Sequence, residues 1–239
     1  MPSPWRYFPA TPDGRRWLVG LALLPILLRL LGAPFLRGAS PVVQAAASLL
    51  FALIWLAALL LAARSAGIHT FRPRWRPLLA YLPLAVVLNL GLAALSLFLA
   101  KRLLGTDPAP LFADQPFLRV LHPVLEALFG PDSLPTAKLL LFGSLIMLPF
   151  LVVAALTEEL FFRGLLQTTV THYLGPLPGL LIPALIFALL HAPLLLAFLP
   201  MLALGLLFGH VFRRHNLATA VVLHLLHNLI ALPVSLIGF

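Results

Sequence analysis

Cysteine is absent from the 239 residues. That excludes disulfides, thiolate metal sites and a cysteine nucleophile, and leaves the redox compartment unreadable. Acid is also scarce: seven Asp and Glu stand against sixteen Lys and Arg, for a formal charge of +9. Charged residues of either sign make up only 10% of the chain, while 62% of it is hydrophobic. An ordinary soluble domain is nearer half apolar and about a quarter charged, so the sequence reads as an integral membrane protein. The basic residues punctuate the ends of apolar runs, as topology signals do, instead of clustering into a nucleic-acid surface, and nucleic acid is set aside as a partner. The Gly-x-Ser-x-Gly elbow and the His-Glu-x-x-His zinc motif do not occur. Neither does an internal repeat or a low-complexity tail.

What is present is a series of apolar runs, at about 17–36, 41–63, 78–100, 138–171, 177–192, 194–211 and 217–236. None alternates with period two, which excludes a barrel. At about 20 residues per crossing, the expectation is an all-α, polytopic transmembrane helix bundle. It has about seven membrane helices, within limits of six to eight, around a polar active-site cavity. Arg6, Arg15 and Arg16 ahead of the first run resemble a signal peptide. No small-x-small cleavage site follows, so an uncleaved first helix is expected, with Arg29 near its end snorkelling to the headgroups.

The arginines give the orientation. Arg6, Arg15 and Arg16, then Arg64, Arg72, Arg74 and Arg76, then Arg213 and Arg214 fall on one side if there are seven crossings. The positive-inside rule makes that side, and the N-terminus, cytoplasmic. Lys101 and Arg102 are a smaller counter-signal. The fourth run holds 34 residues, about 50 Å of helix, so it is tilted, protrudes, or breaks near Pro149. One crossing there is preferred, because two would put Arg213 and Arg214 outside. Residues 101–137 are the longest polar interval, with Asp107, Asp114, Arg119, Glu126 and Asp132. The stretch "PFLRVLHPVLEALFG" within it reads as a short interfacial helix, more a connector than a lid. The chain is expected to be one membrane domain, with N-terminal helices and connector over 1–136 and catalytic helices over 137–239. The small size and minimal loops suggest a prokaryotic inner membrane.

Four polar clusters lie inside apolar runs, where an ionisable group costs roughly 2.5–3.5 kcal/mol and is a functional candidate by default. Glu158 and Glu159, in "TEELFFRG", are the only acidic residues so placed. Glu159 and Arg163 are four apart on a helix and can pair, while Glu158 points about 100° away toward another neighbour. His191 closes "FALLH", with Phe187 one turn earlier. In "HLLHN", His224 and Asn228 share a face, with His227 between them. Asn89 stands alone in the third run and reads as an interhelical hydrogen bond. Each cluster alone has a structural reading: a capped helix end for His191, a buried ion pair for Glu159 and Arg163, polar glue for His224 and Asn228. Together they are hard to explain by packing.

With no Gly-x-Ser-x-Gly elbow, no serine paired to a membrane histidine by an obvious pattern and no cysteine, a carboxylate and a histidine converging on one water is the chemistry these groups support, the carboxylate being the general base. A second histidine and an amide can donate to a developing oxyanion. The same atoms are also zinc ligands in kind.

"EELFFRG", "FALLH" and "HLLHN", in that order over roughly residues 140–236, resemble the CAAX prenyl protease and bacteriocin-processing family, also called the Abi family. That family's pattern is Glu-Glu-x-x-x-Arg, then Phe-x-x-x-His, then His-x-x-x-Asn (or Asp). The resemblance implies an intramembrane endopeptidase cutting a membrane-associated protein or lipidated peptide. Glu158 and His191 would hold and activate water, and His224 and Asn228 would form the oxyanion hole. Glu159 and Arg163 would order the site, with Phe187 in support. His227 falls outside the pattern. A metal-independent glutamate mechanism with no cofactor is favoured; if metal is required, Glu158, His191 and His224 are the zinc ligands. The alternatives are a non-catalytic scaffold or bacteriocin-immunity protein of the same fold, and a proton-coupled transporter. One geometric demand follows. His191 lies about 14 residues into its run, so the fifth helix must be short, tilted or broken at Pro193 to reach Glu158 and His224.

Overall fold

A computed structural model describes residues 20–65 (less 26, 29, 30, 33 and 35), 72–105, 136–191 and 195–237. The expectations for Arg6, Arg15, Arg16, Arg29, Pro193 and the interfacial helix within 101–137 therefore lie outside the described residues. Every regular element among those described is helical. They are α1 (Pro41–Ser65), α2 (Trp75–Leu104), α3 (Thr136–Glu159), a π-helical segment (Leu160–Gln167), α4 (Thr168–Leu174), α5 (Pro176–His191), α6 (Leu195–Arg214) and α7 (Leu217–Ile237). The apolar runs of the sequence, from the second onward, map onto these elements to within a few residues.

The fourth run does not break at Pro149. That proline is inside α3, as Pro83, Pro183 and Pro200 are inside α2, α5 and α6. The local change comes later, where Leu160–Gln167 widens to π geometry and then returns to α. No proline occurs in that segment, so its partners and not a missing donor set the geometry; such wide turns recur at functional sites.

Two apolar clusters make the core. One joins Leu56, Leu59 and Ala62 of α1 to Val153 of α3, Leu160 and Leu165 of the π segment, and Leu217 and Val221 of α7. The other joins Leu78 and Ala85 of α2 to Leu204, Leu207, Phe208 and Val211 of α6, and Ala220 and Leu223 of α7. Helix α7 is thus the shared wall, with both clusters packed on it. Its polar residues are held between them.

Helices α5 and α6 form an antiparallel hairpin packed closely along glycines of α6. A Cβ on Gly205 would come within 3.1 Å of the Ala184 Cα, and one on Gly209 within 2.8 Å of a Leu180 methyl. Only a small residue permits this approach. Aliphatic side chains such as Leu53, Leu61, Leu79 and Val87 of α1 and α2 are exposed. Two of the described helices, over Val43–Arg64 and Trp75–Ser96, are long and apolar enough to cross a membrane. Outward leucines on such helices suit lipid, where in water they would be a liability.

One corner ties the loop before α2 to the turn before α7. The Asn216 side-chain amide donates to the Arg72 carbonyl at 3.0 Å, and the Arg74 backbone N–H donates to the Thr219 hydroxyl at 2.9 Å. Arg213 donates to the Pro176 carbonyl at 3.2 Å. The two described arginine groups therefore sit at the same end of the molecule.

Candidate active site

Glu158 and Glu159 occupy the last turn of α3, and their neighbouring positions send them to different partners. One Glu158 carboxylate oxygen, Oε2, stands 3.4 Å from His191 Nε2 and 3.8 Å from His224 Nε2. Helix α5 is short, 16 residues ending at His191 itself, which meets the geometric demand raised by the sequence. The side chains of Glu158 and His191 are 19% and 33% exposed, that of His224 only 6%. The cluster is thus open on the His191 side and closed behind His224.

Both histidines turn the same nitrogen to Glu158, and the reason lies in their other nitrogen. His191 Nδ1 is 2.8 Å from the Phe187 carbonyl, one turn back on α5. A carbonyl can only accept, so Nδ1 carries the hydrogen. His224 Nδ1 is 2.9 Å from Glu159 Oε1, and an ionised carboxylate imposes the same tautomer. Each ring also lies on a phenylalanine face: His191 on Phe187 at 4.2 Å and 27°, His224 on Phe208 at 4.7 Å and 21°. Tautomer and ring plane are both fixed before any ligand arrives.

Glu159 has a second partner, Arg163, one turn on, with Nη1 at 2.9 Å from the same Oε1. The contact is an ion pair without a well-aligned hydrogen bond, since Nη1 and Glu159 Oε2 find no hydrogen-bond partner among the described residues. Arg163 Nη2 donates to the Gly205 carbonyl at 3.1 Å. Its guanidinium also lies 4.8, 5.4 and 5.8 Å from the ring centres of Phe187, Phe208 and Phe162. Glu159 and Arg163 are 0% and 1% exposed. The sequence assigned Glu159 to Arg163 alone; the structure places it between Arg163 and His224.

Asn228 lies one turn beyond His224 on α7 and is half-buried. No hydrogen bond joins its side chain to another described residue, so its amide is available to a ligand. His227 turns away from the cluster. Its Nε2 is 3.1 Å from the Asn89 amide nitrogen, the interhelical bond expected of Asn89, with His227 as the partner the sequence did not identify. His227 Nδ1 is buried without a partner among the described residues.

Two residues of this neighbourhood were missed from the sequence. Gln167, buried at the end of the π segment, donates to the Gly209 carbonyl at 3.1 Å, repeating one turn later what Arg163 does at Gly205. A glutamine four positions after a buried arginine was a usable signal. Phe208, the platform under His224, was not distinguishable among 17 phenylalanines.

Among the described residues, no group of three or more His, Cys, Asp or Glu is arranged to hold a metal ion. What the cluster can do chemically is hold a small hydrogen-bonding molecule. Glu158 Oε2 and two Nε2 atoms face one point from separations too long for strong direct hydrogen bonds.

Residues 140–230 match the family model described as Rce1-like, type II CAAX prenyl endopeptidase. The resemblance drawn from the three motifs is borne out over that segment, which contains every residue of the cluster. No curated protein and no solved structure gives a significant match.

Proposed function

Starting from an Rce1-like domain over residues 140–230, we propose that this membrane protein is an intramembrane endopeptidase that hydrolyses a peptide bond with water activated by Glu158. The observation that carries the reading is the shared presentation of Nε2. Two histidines, each with Nδ1 tied elsewhere, aim the same atom at one Glu158 oxygen. A water placed there donates to Glu158 and to His191, and Glu158 is the general base.

In the first step Glu158 takes a proton from the water, and the hydroxide adds to the carbonyl carbon of the scissile peptide. The resulting oxyanion accepts hydrogen bonds from His224 Nε2–H and the Asn228 amide. His224 donates from Nε2 only when Nδ1 is also protonated. In the second step Glu158 returns its proton to the departing amine, the C–N bond breaks, and a carboxylic acid and an amine are released. Glu159, Arg163 and Phe187 are positioning residues: they hold the rings and do not touch the substrate.

The substrate of this reading is a membrane-associated protein or lipidated peptide. The chain sits as a bundle of about seven crossings in a prokaryotic inner membrane, with its N-terminus in the cytoplasm. No metal takes part. Cleavage abolished by chelators and restored by zinc would instead make Glu158, His191 and His224 ligands.

The test compares protein termini, by mass spectrometry, in membranes holding the wild type or Glu158→Gln at equal abundance. New termini that appear with the wild type alone establish proteolysis and give the cut position. Identical sets of termini in cells that contain the native substrates would refute the reading and leave a scaffold.

A further inference from the structure

The corner where the loop before α2 meets the turn before α7 gathers positive charge with no acid to answer it. Asn216 and Thr219 hold that corner through the backbone of Arg72 and Arg74, so the Arg74 guanidinium is not spent on the fold. His210 and Arg214 share one face of α6, four positions apart, and His215 follows in the turn. These groups lie close together: the pKa of His215 is lowered from 6.5 by burial and then by the charges of Arg74, His210 and Arg214. The side chains of all four make no hydrogen bond or ion pair with another described residue. The described acids are Glu158 and Glu159, and both are engaged by His191, His224 and Arg163.

The cluster has a shape as well as a charge. Tyr81 of α2 packs against both imidazoles, its ring centre 6.0 Å from that of His210 and 5.6 Å from that of His215. Leu78, one turn earlier on α2, joins Leu207 and Val211 of α6 in the core, which closes the crevice between the two helices from behind. Arg74 precedes Tyr81 by two turns, about 10 Å along the helix. The Tyr81 hydroxyl is half-buried and makes no hydrogen bond to a described residue. Guanidinium, imidazole and phenol donors thus line one short cleft, and an ionised phosphate, all acceptors, matches such a set. Apolar neighbours point to a lipid as its carrier. Trp75, at the level of the arginines, and Leu84, one turn beyond Tyr81, are 64% and 43% exposed. A headgroup with an acyl chain beside it follows the same order, and basic pockets between membrane helices bind anionic headgroups.

We propose that Arg74, His210, Arg214 and His215, with the Tyr81 hydroxyl, bind the phosphate of an anionic lipid at the arginine end of the molecule. Bound phosphate turns repulsion among the cations into attraction to a shared anion, and so clamps the start of α2 to the turn between α6 and α7. The site shares no residue with the Glu158 cluster and stands whether or not the protein cuts peptides.

The test follows thermal unfolding of the delipidated full-length protein in uncharged detergent, at constant ionic strength, as phosphatidylglycerol, phosphatidylcholine or sodium phosphate is titrated in. Phosphatidylglycerol should raise the midpoint and phosphatidylcholine should not. In the double variant Arg74→Gln, Arg214→Gln, the phosphatidylglycerol concentration giving half the rise should increase about thirtyfold, at about fivefold for each arginine. Lys101→Gln with Arg102→Gln removes the same charge from the far end of α2 and should leave that concentration unchanged. Tyr81→Phe with His210→Ala reads the same cleft, by a smaller increase, if the arginine variant fails to accumulate. No rise with phosphatidylglycerol overturns the proposal. So does equal weakening in the two double variants that remove charge, which would reduce the effect to overall charge. A rise with sodium phosphate alone, lost in the arginine variant, would leave a phosphate site and overturn the lipid as its source.

Discussion

Replacing Glu159 by alanine removes the carboxylate in direct contact with a guanidinium that is 1% exposed. The contacts left to Arg163 are the Gly205 carbonyl and three phenylalanine faces, with the Glu158 carboxylate acting on it from farther off. Breaking a buried ion pair from one side costs about 3–5 kcal/mol. The His224 Nδ1–H loses its acceptor at the same time, adding roughly 1–3 kcal/mol for a buried donor left without one. Contacts to the aromatic faces offset part of this, by up to about 2 kcal/mol for a desolvated cation. The net expectation is a loss near 4 kcal/mol, large against the stability of a domain. Unfolding in detergent, followed by tryptophan fluorescence under a denaturant gradient, reads it. Glu159→Ala combined with Arg163→Leu should recover most of the stability, since an apolar replacement of a buried pair is often neutral or better. Activity should stay lost in the double variant, because the His224 ring is still unanchored. Glu159→Ala protein within 1 kcal/mol of wild type, and fully active, would refute the shared-anchor argument.

Other consequences are simpler to reach. Glu158→Gln keeps the shape of the side chain but not its basicity, so cleavage should vanish while the unfolding midpoint hardly moves. Gly179→Ala should destabilise the α4–α5 hairpin by roughly 1–3 kcal/mol, because an added Cβ would overlap Thr171 side chain and backbone alike; an unchanged midpoint counts against the packing. His215, in the turn between α6 and α7, has its pKa lowered from 6.5 by burial and by the neighbouring Arg74, His210 and Arg214. The unfolded chain therefore binds its proton first as pH falls. Stability from this residue is present above about pH 6.5 and is lost below it. His215→Gln should flatten that part of the stability–pH curve, and a curve of unchanged slope would show that the turn does not sense the charge.

The polar residues told most of this from the sequence, because polarity inside an apolar run is costly and therefore specific. Glu158, His191 and His224 were selected on that ground, and the chain folds them to one point. Asn89 was identified as an interhelical bond, but nothing in its own surroundings named His227, which is 138 positions away. The dual role of Glu159 escaped for the same reason: helical spacing exposes a partner at i+4, never one on another helix. The apolar contributions were less legible. Phe208 supports His224 by its face, and a face has no signature among so many phenylalanines. Pro149 invited a break that did not occur, since neighbours and lipid leave a helix no better alternative for its backbone groups. The π turn at Leu160–Gln167, by contrast, carries no proline to announce it.

Helix α5 has one more property, which concerns the lipid around it. Its 16 residues rise about 24 Å, some 6 Å short of the usual hydrocarbon thickness. A bilayer meets such a helix by thinning beside it. Such thinning would draw headgroups and their water down toward His191, and a peptide resting there would cross less hydrocarbon than elsewhere. On the protease reading, a bond otherwise sheltered by lipid would then come within reach through local deformation of the membrane, without the peptide being pulled out.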